Sequence, residues 1–394
     1  MSDRNLLLFT RSWRLFAYGA LAVVLVLYLT DLGFTTSQIG LLLTLTLLGD
    51  TVVSLVLTTH ADRVGRRRIL ILGAVLMSLA GIVFALTSNF VVLLLTGTLG
   101  VISPSGNEVG PFLPIEQAAL SQVVPPASRT SVFAWYTLAG ALATAVGSLT
   151  GGSLSEAFHN SRIVLLLYAA VGVLLAIVFA QLSPRVEVSQ VERRSSWLGI
   201  GASKAVVLRL AALFALDAFA GGFVVQGFAA YWFYLRFAVS PATLGAIFFG
   251  ANVLAGISAL LAARLAARFG LVRTMVFTHL PSNVLLILVP LMPTLSLAVA
   301  VLFLRFSISQ MDVPTRQSYV MAVVGPEERS AAAGVTGVAR TTGAAIAPVF
   351  AGMLLGNPAL ISMPFFIAGA LKIVYDVLLY RGFVKVRPAE ETAS

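Results

Sequence analysis

Residues Thr58 to Arg68 read Thr-Thr-His-Ala-Asp-Arg-Val-Gly-Arg-Arg-Arg and separate two long apolar runs, Gly40 to Leu57 and Ile69 to Leu86. Each run has the length of a bilayer-crossing helix, which needs about 20 apolar residues. The stretch between them reads as a tight, basic turn joining two membrane helices. Arg63, Arg66, Arg67 and Arg68 resist translocation, and cations clustered beside short loops mark the cytoplasmic side.

Composition extends this reading to the whole chain. Of 394 residues, 58% are hydrophobic and only 11% are charged. A soluble fold with one core has no use for so much apolar surface. A polytopic helical membrane protein does, because in lipid each backbone group must be satisfied within its own helix. The net charge of +10 falls mostly in short loops between apolar runs, which argues for a lipid bilayer and against nucleic acid as the partner. There are no cysteines, so thiol catalysis and Cys-bound metals are excluded. His60, His159 and His279 are scattered without metal-ligand spacing. The chain is therefore expected to be no enzyme and to carry neither metal nor cofactor. Its N-terminus lacks a signal-peptide layout, which leaves the first helix as an uncleaved anchor.

Twelve helices are predicted, at 11–31, 37–59, 69–88, 90–124, 129–155, 161–183, 208–235, 241–266, 271–292, 295–324, 329–355 and 359–380. The fourth contains Ser103-Pro104-Ser105-Gly106, Pro111 and Pro114, and should bend or break. Residues 184–207 form a polar cytoplasmic linker between an N-terminal half, 1–183, and a C-terminal half, 208–394. With the N-terminus inside, twenty Lys and Arg lie in cytoplasmic segments. Arg162 and Arg236 alone lie outside, and Arg305, Arg316, Arg340 and Lys372 fall within helices. Both termini are thus expected in the cytoplasm.

The halves repeat each other. At an offset of 205, Gly40, Arg63, Gly65 and Arg68 match Gly245, Arg268, Gly270 and Arg273, so that LAARFGLVR is a decayed copy of the basic turn. At an offset of 200, Pro114 matches Pro314 and Glu116 matches Arg316. Asp62-Arg63-x-Gly65-Arg66-Arg67-Arg68 resembles motif A of the major facilitator superfamily, between its second and third helices. Thr58 stands where the family has Gly, and Gln122 where many relatives carry an acid that partners the Arg cluster. The resemblance runs over nearly the whole chain and is nearest to the drug and metabolite efflux branch. It implies an all-α fold of twelve transmembrane helices in two pseudo-symmetric six-helix bundles. It further implies a monomeric secondary transporter of the plasma (inner) membrane, working by alternating access with the proton gradient as driving force. In the family, motif A is a conformational switch, here Asp62, Arg63, Gly65, Arg66 and Arg67.

Ionisable groups inside membrane helices are costly, so each invites a functional reading. Glu108, Asp217 and Asp312 are candidates for proton coupling. Glu108 and Asp217 have no cation one helical turn away in their own helices. Asp50, Asp376 and Lys372 lie toward cytoplasmic helix ends, where they can snorkel or pair structurally. Arg316 follows Asp312 by one turn and can pair with it. Glu116 and Arg316, as repeat mates, could also close on each other as a cytoplasmic gate. Arg340, Arg305, Tyr136, Gln226 and Asn252 are further candidates for gate or substrate cavity. The function expected is proton-coupled export of a small organic molecule. Two alternatives are an organic-anion carrier or uptake system using Arg305, Arg316 or Arg340, and a non-transporting receptor on the same scaffold.

Overall fold

A computed structural model describes residues 2–125, 129–187, 203–325 and 328–384. Most of the polar linker, together with Pro126, Pro326 and the C-terminal Lys385 and Arg387, lies outside the described residues. Among the described residues all regular structure is helical. The order is α1 (Asp3–Asp31), α2 (Thr36–Val64), α3 (Arg66–Leu86), α4 (Phe90–Leu99), α5 (Phe112–Val123), α6 (Arg129–Ala157) and α7 (Arg162–Phe179). There follow α8 (Lys204–Gly222), α9 (Gln226–Phe237), α10 (Pro241–Phe269), α11 (Leu271–Leu288), α12 (Leu295–Ser309), α13 (Asp312–Ala322), α14 (Arg329–Leu355) and α15 (Met363–Phe383). Among the described residues, ten helical stretches are long and apolar enough to cross a bilayer. With α4–α5 and α6 they make the twelve spans expected.

Helix starts follow from local chemistry. Thr35 and Gln38 form a capping box at α2, while Asn89 and Thr294 accept from the backbone N–H groups of Val92 and Leu297 at α4 and α12. The fourth span breaks between Gly100 and Pro111, as its prolines and glycines require. Its freed backbone groups find partners. Tyr168 donates to Val101 O at 2.8 Å, Tyr18 donates to Val109 O at 3.2 Å, and the Gly110 N–H reaches Asp50 Oδ1 at 2.6 Å. Two further breaks were not expected from sequence. The seventh span separates after Gly221-Gly222, and the tenth separates ahead of Asp312, where the ring of Pro314 in the first turn of α13 prevents the helix from continuing through Gln310.

By packing, the chain forms two compact units. One holds the described residues of Met1–Arg193 with Val225–Asn252, the other those of Arg194–Val224 with Val253–Ser394. In the first, α1 crosses α6 at backbone distance. A Cβ added to Gly147 or Gly151 would lie 2.0 Å from Phe16 O or 2.3 Å from Ala20 O. Small residues at this spacing are what lets membrane helices approach so closely. In the second unit, Gly343 on α14 meets the Ala215 backbone of α8 in the same manner, within the stretch Gly343-x-x-x-Ala347-Pro348. Outward faces carry exposed Leu55, Leu79, Leu99, Ile177 and Phe277, as contact with lipid requires.

Gly151→Val should force α1 from α6 and cost about 1–3 kcal/mol, the usual scale of overpacking. Thermal unfolding of the purified protein in detergent measures it, and an unchanged midpoint would contradict the close packing.

Candidate functional site

The basic turn is shorter than its sequence suggests. Residues 58–64 continue α2, and Gly65 alone separates it from α3, at φ 110°. Gly270 repeats the device at φ 85° between α10 and α11. Arg66 Nε donates to Asp62 Oδ1 at 2.8 Å, and its Nη1 donates to Gln122 Oε1 at 2.8 Å and to Val186 O at 3.2 Å. Three arginines at a helix N-terminus oppose the helix dipole. The compensating charge comes from Glu187, which accepts from the backbone N–H of Arg66 at 2.7 Å and of Arg67 at 3.1 Å. Gln122 also donates to Glu187 O at 2.7 Å. Thus the acid absent at position 122 is supplied from the start of the linker. Sequence reading missed Glu187 because no local pattern ties it to a turn 121 residues earlier. Arg63 is exposed, and Arg67 Nη1 reaches Leu182 O at 3.4 Å.

A second centre lies in the first unit, on α1, α5, α6 and the break ahead of α5. Arg14 holds Glu116 with two parallel bonds, Nη1 to Oε1 at 2.7 Å and Nη2 to Oε2 at 2.8 Å, and both side chains are 0% exposed. Thr10 donates to Glu116 at 2.9 Å, and the Tyr136 hydroxyl donates to the same carboxylate. Arg14 Nε also reaches Glu108 Oε2 at 3.2 Å, and Arg11 Nη1 pairs with Glu108 Oε1. The guanidinium of Arg11 lies 4.1 Å from the Tyr136 ring centroid, and that of Arg14 lies 4.6 Å from Phe112. Two arginines and two glutamates neutralise one another here.

The third centre belongs to the second unit. Asp217 on α8 takes Lys372 Nζ at 2.6 Å and Arg316 Nη1 at 3.3 Å, with His279 Nε2 at 3.7 Å and Arg340 Nη1 at 4.0 Å. Arg316 also donates to Asp312 at 2.7 Å. On its other side, His279 Nδ1 lies 2.9 Å from Asp376, which accepts from Asn283 at 2.9 Å. Of the two alternatives for Lys372 and Asp376, snorkelling or structural pairing, the structure shows pairing. Both residues are buried in this network.

Several sequence expectations are corrected. Glu116 and Arg316 do occupy matching places, each the fifth residue of the helix after a break. Their partners are local, however: Arg14 for one, Asp217 and Asp312 for the other. Glu108 and Asp217 have no cation one turn away in their own spans, and the cations that meet them arrive from other helices. Arg11 and Arg14, counted as cytoplasmic markers, lie inside α1, which begins eight residues before the expected start at 11. Tyr136 serves as a ligand of Glu116. Gln226 and Asn252 both donate amide N–H to Ser148 Oγ, at 3.2 and 3.3 Å, which ties α9 and α10 to α6. Among the described residues, Asp50 is the intramembrane acid that meets neither a cation nor an imidazole. Its partners are the Gly110 N–H and Ser54 Oγ at 3.4 Å.

Removing the Glu187 cap should matter more than removing exposed Asp62. Glu187→Ala should cost about 1–2 kcal/mol, as lost helix caps do, and Asp62→Asn, at 51% side-chain exposure, less than about 1 kcal/mol. Thermal unfolding of both variants checks the order, and the reverse order would contradict the assignment.

Comparison with known proteins agrees with this architecture. The family model of the Major Facilitator Superfamily matches residues 7–309 and 215–394. The uncharacterized membrane protein YJR124C of Saccharomyces cerevisiae is 30% identical over 95% of this chain and 92% of its own length. The quinolone resistance protein NorA of Staphylococcus aureus is 30% identical over 36% of this chain and 35% of its own. Among solved structures, a bacterial homolog of the human lysosomal transporter Spinster, inward-facing and occupied, aligns with TM-score 0.75 at 17% identity. That alignment covers 98% of this chain and 97% of the homolog. By the extent of the family match and by its twelve spans, the chain belongs to the Major Facilitator Superfamily and is a multi-pass secondary transporter, not an enzyme.

Proposed function

We propose that the protein exports a small organic molecule in exchange for protons, as a monomer of the plasma membrane (the inner membrane in a bacterial cell) with both termini cytoplasmic. The proton gradient is its driving force, and no cofactor takes part. The distribution of Lys and Arg supports the orientation, and the partial likeness to NorA supports export. Alternating access then moves the two repeats about a mid-membrane site.

Asp50 carries the proton-coupling reading. A carboxylate in a membrane helix without a cation is costly when charged. Two hydrogen bonds, from the Gly110 N–H and Ser54 Oγ, favour the charged form, but the titratable groups around it supply no positive charge: Tyr18 of α1, Tyr168 of α7 and the carboxylate of Glu108. Asp50 accepts the Gly110 N–H, in the break that carries Glu108. Protonation weakens that acceptor and loosens the break, so proton binding is transmitted to the Arg11–Arg14–Glu108–Glu116 centre. Glu108, Asp217 and Asp312 already hold cations and act in this scheme as charge partners that exchange during the cycle.

Because the chain has no cysteine, spin labels can be placed at introduced cysteine pairs, one in each unit, without removing native thiols. Distance distributions in nanodiscs should shift between about pH 5 and pH 8, the range in which a buried carboxylate can change charge. Asp50→Asn mimics the protonated acid and should hold the low-pH distribution at both values. A pH shift that survives in Asp50→Asn would contradict the assignment. Proteoliposome flux distinguishes a transporter from a receptor, which would bind without moving anything.

A further inference from the structure

We propose that the second unit holds the negatively charged group of its cargo on Arg305 and Arg340, which makes the cargo an organic acid. This rests on reading the chain as a transporter of small organic molecules, and it narrows their class. The argument begins with charge. His279 aside, the cluster sets Arg305, Arg316, Arg340 and Lys372 against Asp217, Asp312 and Asp376, so at least one positive charge is left over. Arg340 Nη1 lies 4.0 Å from Asp217, and Arg316 joins Asp217 to Asp312, so these groups share one centre; Arg305 lies within electrostatic reach of both acids. The first unit has no such excess, since Arg11 and Arg14 are matched by Glu108 and Glu116.

Hydrogen bonding then identifies which cations are free. Lys372 is taken by Asp217 at 2.6 Å, and Arg316 by Asp312 at 2.7 Å and Asp217 at 3.3 Å. Arg340 Nη1 is buried without a hydrogen-bond partner, and its 4.0 Å separation from Asp217 is too long for one. Its side chain is 34% exposed, although Nη1 itself is covered. Arg305 Nε is likewise buried without a partner, while its guanidinium lies 5.0 Å from the Phe306 ring centroid. Arg11 Nε of the first unit also lacks a partner, but that guanidinium is already bound to Glu108. An arginine stays charged throughout the accessible pH range, so burial without an anion is costly. A carboxylate matches its planar fork and removes both the excess charge and the unmet donors. A neutral amide of the same shape supplies an acceptor but leaves the charge, and an amine adds to it. Sequence offered three arginines for this role. The structure excludes Arg316, which is already engaged.

The test uses the full chain in phosphatidylcholine nanodiscs, free of anionic lipid. Linear monocarboxylates from acetate to octanoate, and benzoate, are each compared with their own amide by thermal unfolding. Carboxylates should raise the midpoint in a saturable manner and the amides should not. Arg305→Gln and Arg340→Gln should each weaken the apparent affinity roughly ten- to a hundredfold, the scale of one charge-assisted hydrogen bond. Arg305→Lys and Arg340→Lys should recover part of it. Four results would overturn the site: equal stabilisation by amides, no stabilisation by any carboxylate, unchanged affinity in the Gln variants, or stabilisation only by added phosphatidylglycerol. If the Gln variants do not fold, the contrast between carboxylate and amide on the unmodified protein still decides. Flux in proteoliposomes separates the two readings. Carboxylate binding without flux supports the site and removes the transport reading, whereas pH-driven flux of a neutral amide without carboxylate binding overturns the site alone.

Discussion

Each unit of this protein depends on burying a full ion pair in a membrane helix bundle. A charge left alone in such a place is prohibitive, and a pair is tolerated only when geometry and further hydrogen bonds offset its desolvation. The two repeats solve this with opposite polarity. In the first unit the cation, Arg14, sits on the first helix and the anion, Glu116, on the fourth span. In the second unit the anion, Asp217, sits on the corresponding first helix and the cation, Arg316, on the corresponding fourth span. Two of the broken spans serve this arrangement. In the fourth and the tenth, the break starts a new helix whose fifth residue is the buried charge.

Repeat symmetry also explains where sequence reasoning succeeded and where it stopped. The spans were legible because hydropathy reports a one-dimensional property of the chain. The break in the fourth span was legible because Pro104, Gly106, Gly110 and Pro111 act locally. The correspondence of Glu116 with Arg316 was legible too, since an offset of 200 can be read directly. Their partners were not. Arg11 and Arg14 look like membrane-flanking cations until α1 is seen to begin at Asp3, which carries both into the interior. Lys372 and Asp376 look peripheral by distance along their helix, yet the neighbouring helices bury them. Glu187 is invisible for a simpler reason: capping across 121 residues leaves no local signature.

In the proposed transport cycle the three centres would serve different tasks. The clasp of Asp62, Arg66, Gln122 and Glu187 joins the second, third and fourth spans to the start of the linker, so movement among them would strain it. The first-unit centre is balanced in charge and adjoins the uncompensated Asp50. The second-unit centre carries a surplus of positive charge. A proton site beside one and an anion site within the other would let two ligands act on the same cycle through separate units. Coupling of this kind needs only a few kcal/mol between states.

The central claim is that Glu116 and Arg316 each belong to a pair inside their own unit. A set of double-mutant cycles on unfolding free energy in mixed micelles tests it directly. Arg14/Glu116 and Asp217/Arg316 should each show a coupling energy of about 2–3 kcal/mol, whereas Glu116/Arg316 should show less than about 0.5 kcal/mol. Strong coupling between Glu116 and Arg316, with additive behaviour in the two local pairs, would contradict the account.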